Sequence, residues 1–449
     1  MKTTSMFYMQ RTTIVLFIFL LSTLYGCQKK DPWPPKESQE NADVVHDWYK
    51  LLLRMQLHQN PPPFGLLNLN NIGYIGVGLY ESVQPGIKGS VSLSTKLYQM
   101  PAMPMADKNK DHLWAASANA AMASMLRLFL SGLTDANKTS IDSLENIYTE
   151  RFASITSRDV VSRSQAFGRS IATAIHNWSK TDNLNVSNTG YTPPVFPGSW
   201  QPTPPAFANA AGPYIGSART FLEANLSATA PPFPYPYSED PSSDFYKMAK
   251  EVYDISKVLT PEQRDIGRFW ADVGGAGNGY PVPGHFVSVV TQVLQQQKLD
   301  LARAAEVYAK TGIATRDALI TMWKFKFHYN IIRPVTYINR IIDPSWQTLV
   351  PNPPYPEYPS ALVYVLGANM QVLTRELGDN IPVTDNTYTF NGSAPRRYAS
   401  FTKVVEEGAI SRFYAGIHYK IIVEMTLPLG KALGDKAAAI RLVNAAHKY

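Results

Sequence analysis

The sequence predicts an all-α chain, a helical bundle, and three apolar stripes at helical spacing carry that prediction. Leu319, Met322 and Trp323 fall at i, i+3 and i+4, with Lys326 at i+7 on the same face. Val363, Leu366, Met370 and Leu373 repeat the spacing, as do Ile410, Tyr414, Ile417, Ile421 and Met425. With 449 residues, 45% of them hydrophobic and 17% charged, the chain can bury a large core.

At the N-terminus Lys2 and Arg11 precede an unbroken apolar run, Ile14 to Leu21, too short to span a bilayer and laid out as a secretory signal. Ser22-Thr23-Leu24-Tyr25-Gly26 then leads to Cys27, the single cysteine of the chain. A small residue directly before a lone Cys, just beyond such a run, is similar to the bacterial lipoprotein box. Residues 1–26 are therefore expected to be removed and Cys27 acylated. Residues 27–40, with Gln28-Lys29-Lys30-Asp31 and prolines up to Pro35, read as a solvated tether, and 41–449 as one helical domain. The expected location is a bacterial membrane, the outer one, with the domain facing the periplasm or the exterior.

One cysteine allows no disulfide within the chain, so stability must come from core packing. Beyond the signal, no run approaches the roughly 20 apolar residues of a transmembrane helix. Without Lys2 and Arg11 the chain has 40 basic against 35 acidic residues, a formal charge of +5. No Lys/Arg stripe interleaved with aromatics is visible, and nucleic acid is not an expected partner.

The first stripe continues through Asn330 to Arg333, so one helix would present both Lys326 and Arg333. Pro334 disfavours the α conformation at Arg333, which would stand near the helix end with its guanidinium free to enter a pocket. The proline-rich segment from Pro351 to Ser360 cannot be helical until its prolines stop, which puts Ser360 at the start of the next helix. Its hydroxyl and the amides at Ala361 and Leu362 suit an anion there, although a serine in that place commonly serves as N-cap. His418 joins the third stripe, six residues after Arg412. Three cations, a hydroxyl and an imidazole brought together would cage an oxyanion.

Lys326 with Arg333-Pro334, then Pro359-Ser360, then Ser411-Arg412 with His418 resemble the tripartite signature of one superfamily. It joins type 2 phosphatidic-acid phosphatases to vanadium-dependent haloperoxidases. Order and internal spacing agree, as do the 24 residues between Pro334 and Pro359. The likeness extends toward the soluble, secreted, haloperoxidase-like branch. Phe269-Trp270, Pro283-Gly284-His285-Phe286, Asp317-Ala318 and Trp323 are similar to its helical core. Gly198 to Pro205, with Pro213 and Gly216, resembles its Pro-rich wrapping loop. The resemblance implies that Lys326, Arg333, Ser360, Ala361 and Arg412 bind the oxyanion. It makes His418 the nucleophile toward phosphorus or the axial ligand of vanadate, the one cofactor implied. The implied partner is a small oxyanion or phosphoester, and a homodimer is allowed.

Two positions depart from the signature. Where it continues Gly-His, the chain has Ala361-Leu362, and leucine cannot supply the general acid, a role worth about 10² to 10⁴ in rate. Where an acid should follow His418 by four residues stands Ile422, and Glu424, at i+6, would lie about 240° around a helix. The sequence therefore predicts oxyanion binding with impaired catalysis. An active phosphatase working through phosphorylated His418, or an active vanadate haloperoxidase, stays open, with His285, His328 or a distant acid as the residues to fill the gaps.

Overall fold

A helix of 29 residues, Leu301–Tyr329, runs through the centre of the protein, buried on all its faces for most of its length. At 1.5 Å per residue it is about 44 Å long. The computed structural model describes residues 40–58, 71–130, 132–184, 187–273, 279–280 and 282–443; Cys27, the signal segment and nearly all of the expected tether lie outside these. Glu40, the last residue assigned to the tether, is docked on the domain: its carbonyl accepts from Leu301 N at 2.7 Å.

The described helices, in chain order, are α1 (Asp43–His58), α2 (Asn71–Val83), α3 (Trp114–Phe129), α4 (Asp135–Ala153), α5 (Arg158–Ser179), α6 (Asp244–Val258) and α7 (Pro261–Phe269). They continue with α8 (Val282–Gln296), the central α9 (Leu301–Tyr329), α10 (Pro334–Ile341), α11 (Ala361–Leu377), α12 (Phe401–Tyr414) and α13 (Lys420–Ala438). Among the described residues, one antiparallel pair of strands, β1 (Val383–Asp385) with β2 (Arg396–Tyr398), matches Val383 with Tyr398 and Asp385 with Arg396. The all-α expectation holds. None of the described helices is long and apolar enough to cross a membrane.

Close helix approach depends on glycine. A Cβ on Gly76 of α2 would sit 2.5 Å from the Tyr308 carbonyl of α9, and one on Gly430 of α13 would sit 2.4 Å from the Tyr364 carbonyl of α11. α2 thus packs closely on α9 and α13 on α11, and α9, α11 and α13 are in mutual contact.

Two expectations about helix ends fail. The central helix stops at Tyr329, because Asn330 takes a left-handed conformation (φ 51°, ψ 44°) that Asn tolerates better than most residues. Arg333 is consequently not on the helix of Lys326. It is the extended N-cap residue (ψ 151°) of α10, with Pro334 in the first helical position. The third stripe is likewise broken. α12 ends at Tyr414, Gly416 has φ +77°, and His418 lies in the turn before α13. A Cβ on Gly416 would also approach the Trp346 ring to 3.1 Å.

Candidate functional site

The signature segments meet where the end of α9, the start of α10, the start of α11 and the α12–α13 turn converge. The Pro-rich loop supports that junction. Trp200 N donates to the Asn330 carbonyl at 2.7 Å and Ile332 N to the Gly198 carbonyl at 2.9 Å, which ties down the link carrying Arg333. Lys326, Arg333 and Ser360 are fully buried, and Arg412 and His418 very nearly so.

Each cation is held at one edge. Lys326 Nζ donates to the carbonyls of Pro356 (2.8 Å) and Glu357 (3.0 Å), using two of its three N–H bonds. Arg333 Nε donates to Tyr355 O at 2.9 Å and Nη1 to Ile417 O at 2.9 Å, while the buried Nη2 has no partner. Arg412 Nη1 donates to Trp270 O at 2.6 Å, and its Nε and Nη2 are buried without partners. Ser360 N donates to Thr426 Oγ1 at 3.1 Å, yet its hydroxyl caps nothing and is a further buried orphan. Ala361 is the first residue of α11, so its amide is one of the helix's outward-facing donors. Buried donors without acceptors cost about 1–3 kcal/mol each. Their concentration at one point marks a place shaped for an oxyanion, and the residues present fit phosphate or vanadate.

The imidazole of His418 is oriented by an acid that the sequence reading did not find. Its Nδ1 lies 2.7 Å from Glu357 Oε1, which also accepts from Tyr419 N at 3.1 Å. On the other side Arg333 Nη1 approaches Nε2 to 3.3 Å. A guanidinium only donates, so Nε2 is the acceptor and Nδ1 carries the proton toward Glu357. That leaves a lone pair on Nε2 facing the cage. Because His418 is in a turn, the i+4 argument does not apply. Ile422 is core, packed in the cluster that holds Tyr358 and Tyr419, and Glu424 is exposed, 4.0 Å from Lys420. The missing acid is therefore present, three residues before Ser360.

Burial and the neighbouring Arg333, Lys326 and Arg412 charges drive the His418 pKa well below the ordinary imidazole value, so the ring is neutral. Burial pushes Glu357 up to about 7, against the pull of Arg333, Lys326 and the Tyr419 amide. Burial and the adjacent Arg333 charge bring Lys326 well below the usual lysine value, and burial lowers Arg412 to about 10. The Arg333 charge thus disfavours the charged forms of both Lys326 and Arg412, as expected of a site short of negative charge.

The other histidines are not substitutes for the acid absent at Leu362. His285 Nδ1 and Nε2 are each 2.8 Å from a carboxylate, of Asp272 and Asp385 respectively, so both nitrogens are committed. Burial opposes its charge, but the two carboxylates raise its pKa to about 10. This ion triad supports the cage from behind: the His285 ring stacks on Trp270 (centroids 4.6 Å apart), whose carbonyl grips Arg412. His328 packs edge-on against Tyr329, outside the cage. Leu362 is buried in the main core.

Comparison with known proteins agrees with this geometry. Residues 306–444, which contain the whole cage, match the family described as the VCPO second helical-bundle domain. The chain is 29% identical to a bacterial vanadium-dependent iodoperoxidase of known crystal structure, with a TM-score of 0.81 over 90% of this chain and 98% of that one. The chain belongs to the superfamily of vanadium haloperoxidases and type 2 phosphatidic-acid phosphatases. It is also 25% identical over 225 residues to the vanadium chloroperoxidase of Curvularia inaequalis, and that match spans 37% of each protein. An apo-type bacterial vanadium-dependent chloroperoxidase shares the fold at 16% identity, with a TM-score of 0.65 over 90% of this chain and 98% of that one. The structure brings the sequence-predicted Lys326, Arg333, Ser360, Ala361, Arg412 and His418 together and adds Glu357, which the sequence reading did not name. Its one signal was an acidic residue inside an otherwise proline- and tyrosine-rich segment next to Ser360.

Proposed function

We propose that this chain binds a tetrahedral oxyanion, phosphate or vanadate, with His418 Nε2 as the bonding atom, and that it turns over slowly because position 362 carries no acid. The observation that carries the reading is the 2.7 Å contact of Glu357 with His418 Nδ1, which presents Nε2 beside the unpartnered donors of Arg333, Arg412 and Ser360. Those donors would neutralise the oxyanion's oxygens, the largest single contribution in sites of this kind. With a phosphomonoester, Nε2 would attack phosphorus and form a phosphohistidine that water then hydrolyses. Vanadate, when bound, supplies a Lewis-acidic centre for oxidising halide with hydrogen peroxide, the chemistry named for the iodoperoxidase and chloroperoxidase relatives. Cys27 would carry a lipid that tethers the domain to a bacterial membrane. Loss of palmitate labelling in Cys27→Ser tests the tether, and persistence of the label in that variant refutes it.

Calorimetric titration with orthovanadate and phosphate tests the oxyanion reading, alongside phosphomonoester hydrolysis and vanadate-supplemented halide oxidation. Binding that disappears in His418→Ala supports it, and the assay that shows turnover separates phosphatase from peroxidase. Absence of binding by the wild-type chain refutes it.

A further inference from the structure

Leu362 leaves open which group gives a proton to the leaving oxygen, and the rim of the cage contains one that can. We propose that the Tyr355 hydroxyl is that proton donor. The inference rests on the oxyanion reading above and adds a catalytic residue to it.

Tyr355 is built into the cage. Its carbonyl accepts from Arg333 Nε at 2.9 Å, and its ring lies under Lys326 Nζ (5.1 Å to the centroid) and Arg333 Cζ (5.2 Å). Trp323 of α9 packs against the ring with centroids 5.1 Å apart, which limits its rotation. The residue is half-buried, whereas Lys326, Arg333 and Ser360 are fully buried, so Tyr355 is the more exposed wall of the cage. Its hydroxyl has no hydrogen-bond partner among the described residues. Burial raises its pKa and the Arg333 and Arg412 guanidiniums oppose the rise, so the phenol is protonated at neutral pH and its conjugate base is stabilised by two cations.

The other hydroxyls nearby are excluded by their geometry. Tyr358 donates to Pro231 O at 2.8 Å and Tyr388 to Asp272 Oδ1 at 2.7 Å. Tyr419 is fully buried in the second core cluster with Phe245 and Tyr337, and burial together with the Glu357 charge holds its phenol well above the ordinary value, which makes it the poorer acid. Ser360 Oγ is a hydroxyl of far higher pKa than a phenol, suited to donating a hydrogen bond and not a proton.

The step balances without another reagent. As His418 Nε2 forms its bond to phosphorus, the P–O ester bond breaks. Its electron pair goes to the leaving oxygen, which takes the Tyr355 proton and departs as the alcohol. A water then attacks the phosphohistidine and gives its proton to the Tyr355 phenolate, and the N–P bond pair returns to Nε2. A phenol is a weak acid at neutral pH, so this donor allows only slow turnover of esters with poor leaving groups.

The test compares the full chain with Tyr355→Phe on two esters and one ligand. Ethyl phosphate must have its leaving oxygen protonated, whereas p-nitrophenolate leaves without help. We expect Tyr355→Phe to bind orthovanadate as the wild type does. It should lose about 10²-fold in turnover of ethyl phosphate while losing little on p-nitrophenyl phosphate. Equal losses on both esters, no loss on either, or a wild-type chain that binds vanadate but does not hydrolyse ethyl phosphate each overturn the assignment. A wild-type chain that fails to bind vanadate overturns the oxyanion reading itself, and the assignment with it.

Discussion

Above its pKa of about 7 Glu357 is a carboxylate, and at pH 8 Glu357→Gln removes its charge while leaving the side-chain shape almost unchanged, which makes it a sharp perturbation of the His418 alignment. In the wild type Oε1 accepts from His418 Nδ1 at 2.7 Å and from Tyr419 N at 3.1 Å. The amide oxygen of glutamine can accept both bonds, but as a neutral group. A hydrogen bond to a charged partner contributes about 1.5–3 kcal/mol against about 1 for a neutral one. The amide nitrogen would also replace Oε2, which is buried with no partner, so it brings two donors with nothing to receive them. The imidazole gains positive character as Nε2 bonds to the oxyanion, and the carboxylate stabilises that state more than the free one. The expected cost is about 10- to 100-fold in orthovanadate affinity, the usual range for a residue that orients a ligand. Calorimetric titration measures it, with a thermal melt to show that the variant is folded. Unchanged affinity in folded Glu357→Gln, with binding still abolished in His418→Ala, would refute the claim that Glu357 prepares His418.

Leu362→His restores the signature's acid at the start of α11 and should raise turnover of alkyl phosphates by about 10²-fold with little change in vanadate affinity, as steady-state hydrolysis would reveal. Gly430→Ala places a Cβ where the Tyr364 carbonyl already sits, and overpacking of this kind should lower stability by about 1–3 kcal/mol in denaturant melts. The pKa of His285 is raised to about 10 in the fold from an ordinary value near 6.5, so its contribution to stability is complete below pH 6.5 and lost as pH rises through 10. His285→Gln should be destabilised by about 3–5 kcal/mol at pH 7, because two buried carboxylates lose their cation, and should show a flatter dependence between pH 7 and 10.

The cage was legible in the sequence because its members recur at fixed intervals: Lys326 to Arg333, Arg412 to His418, and Ser360 where the prolines stop. The all-α architecture followed from apolar spacing alone. What failed was the assumption that an apolar stripe stays helical through its whole length. Asn330 and Gly416 break two stripes by adopting positive φ, and both residue types favour that conformation, so the signal was present at each break. The second break mattered more. With His418 read as helical, the local candidates were Ile422 and Glu424, neither of which fits, and a distant acid could not be named. The actual partner, Glu357, is 61 residues away in sequence and arrives through tertiary packing, which no local pattern encodes. The His285 triad with Asp272 and Asp385 is likewise a long-range arrangement, set by the β1 strand end reaching α8.

The most direct test of the central claim is a crystal structure of the chain soaked in orthovanadate. The account predicts vanadium bonded to His418 Nε2, its oxygens taken up by Arg333, Arg412 and Ser360, and the Glu357 contact to Nδ1 retained. Vanadate bound elsewhere, or a cage whose Arg412 and Ser360 donors stay unpartnered beside a free His418, would contradict it.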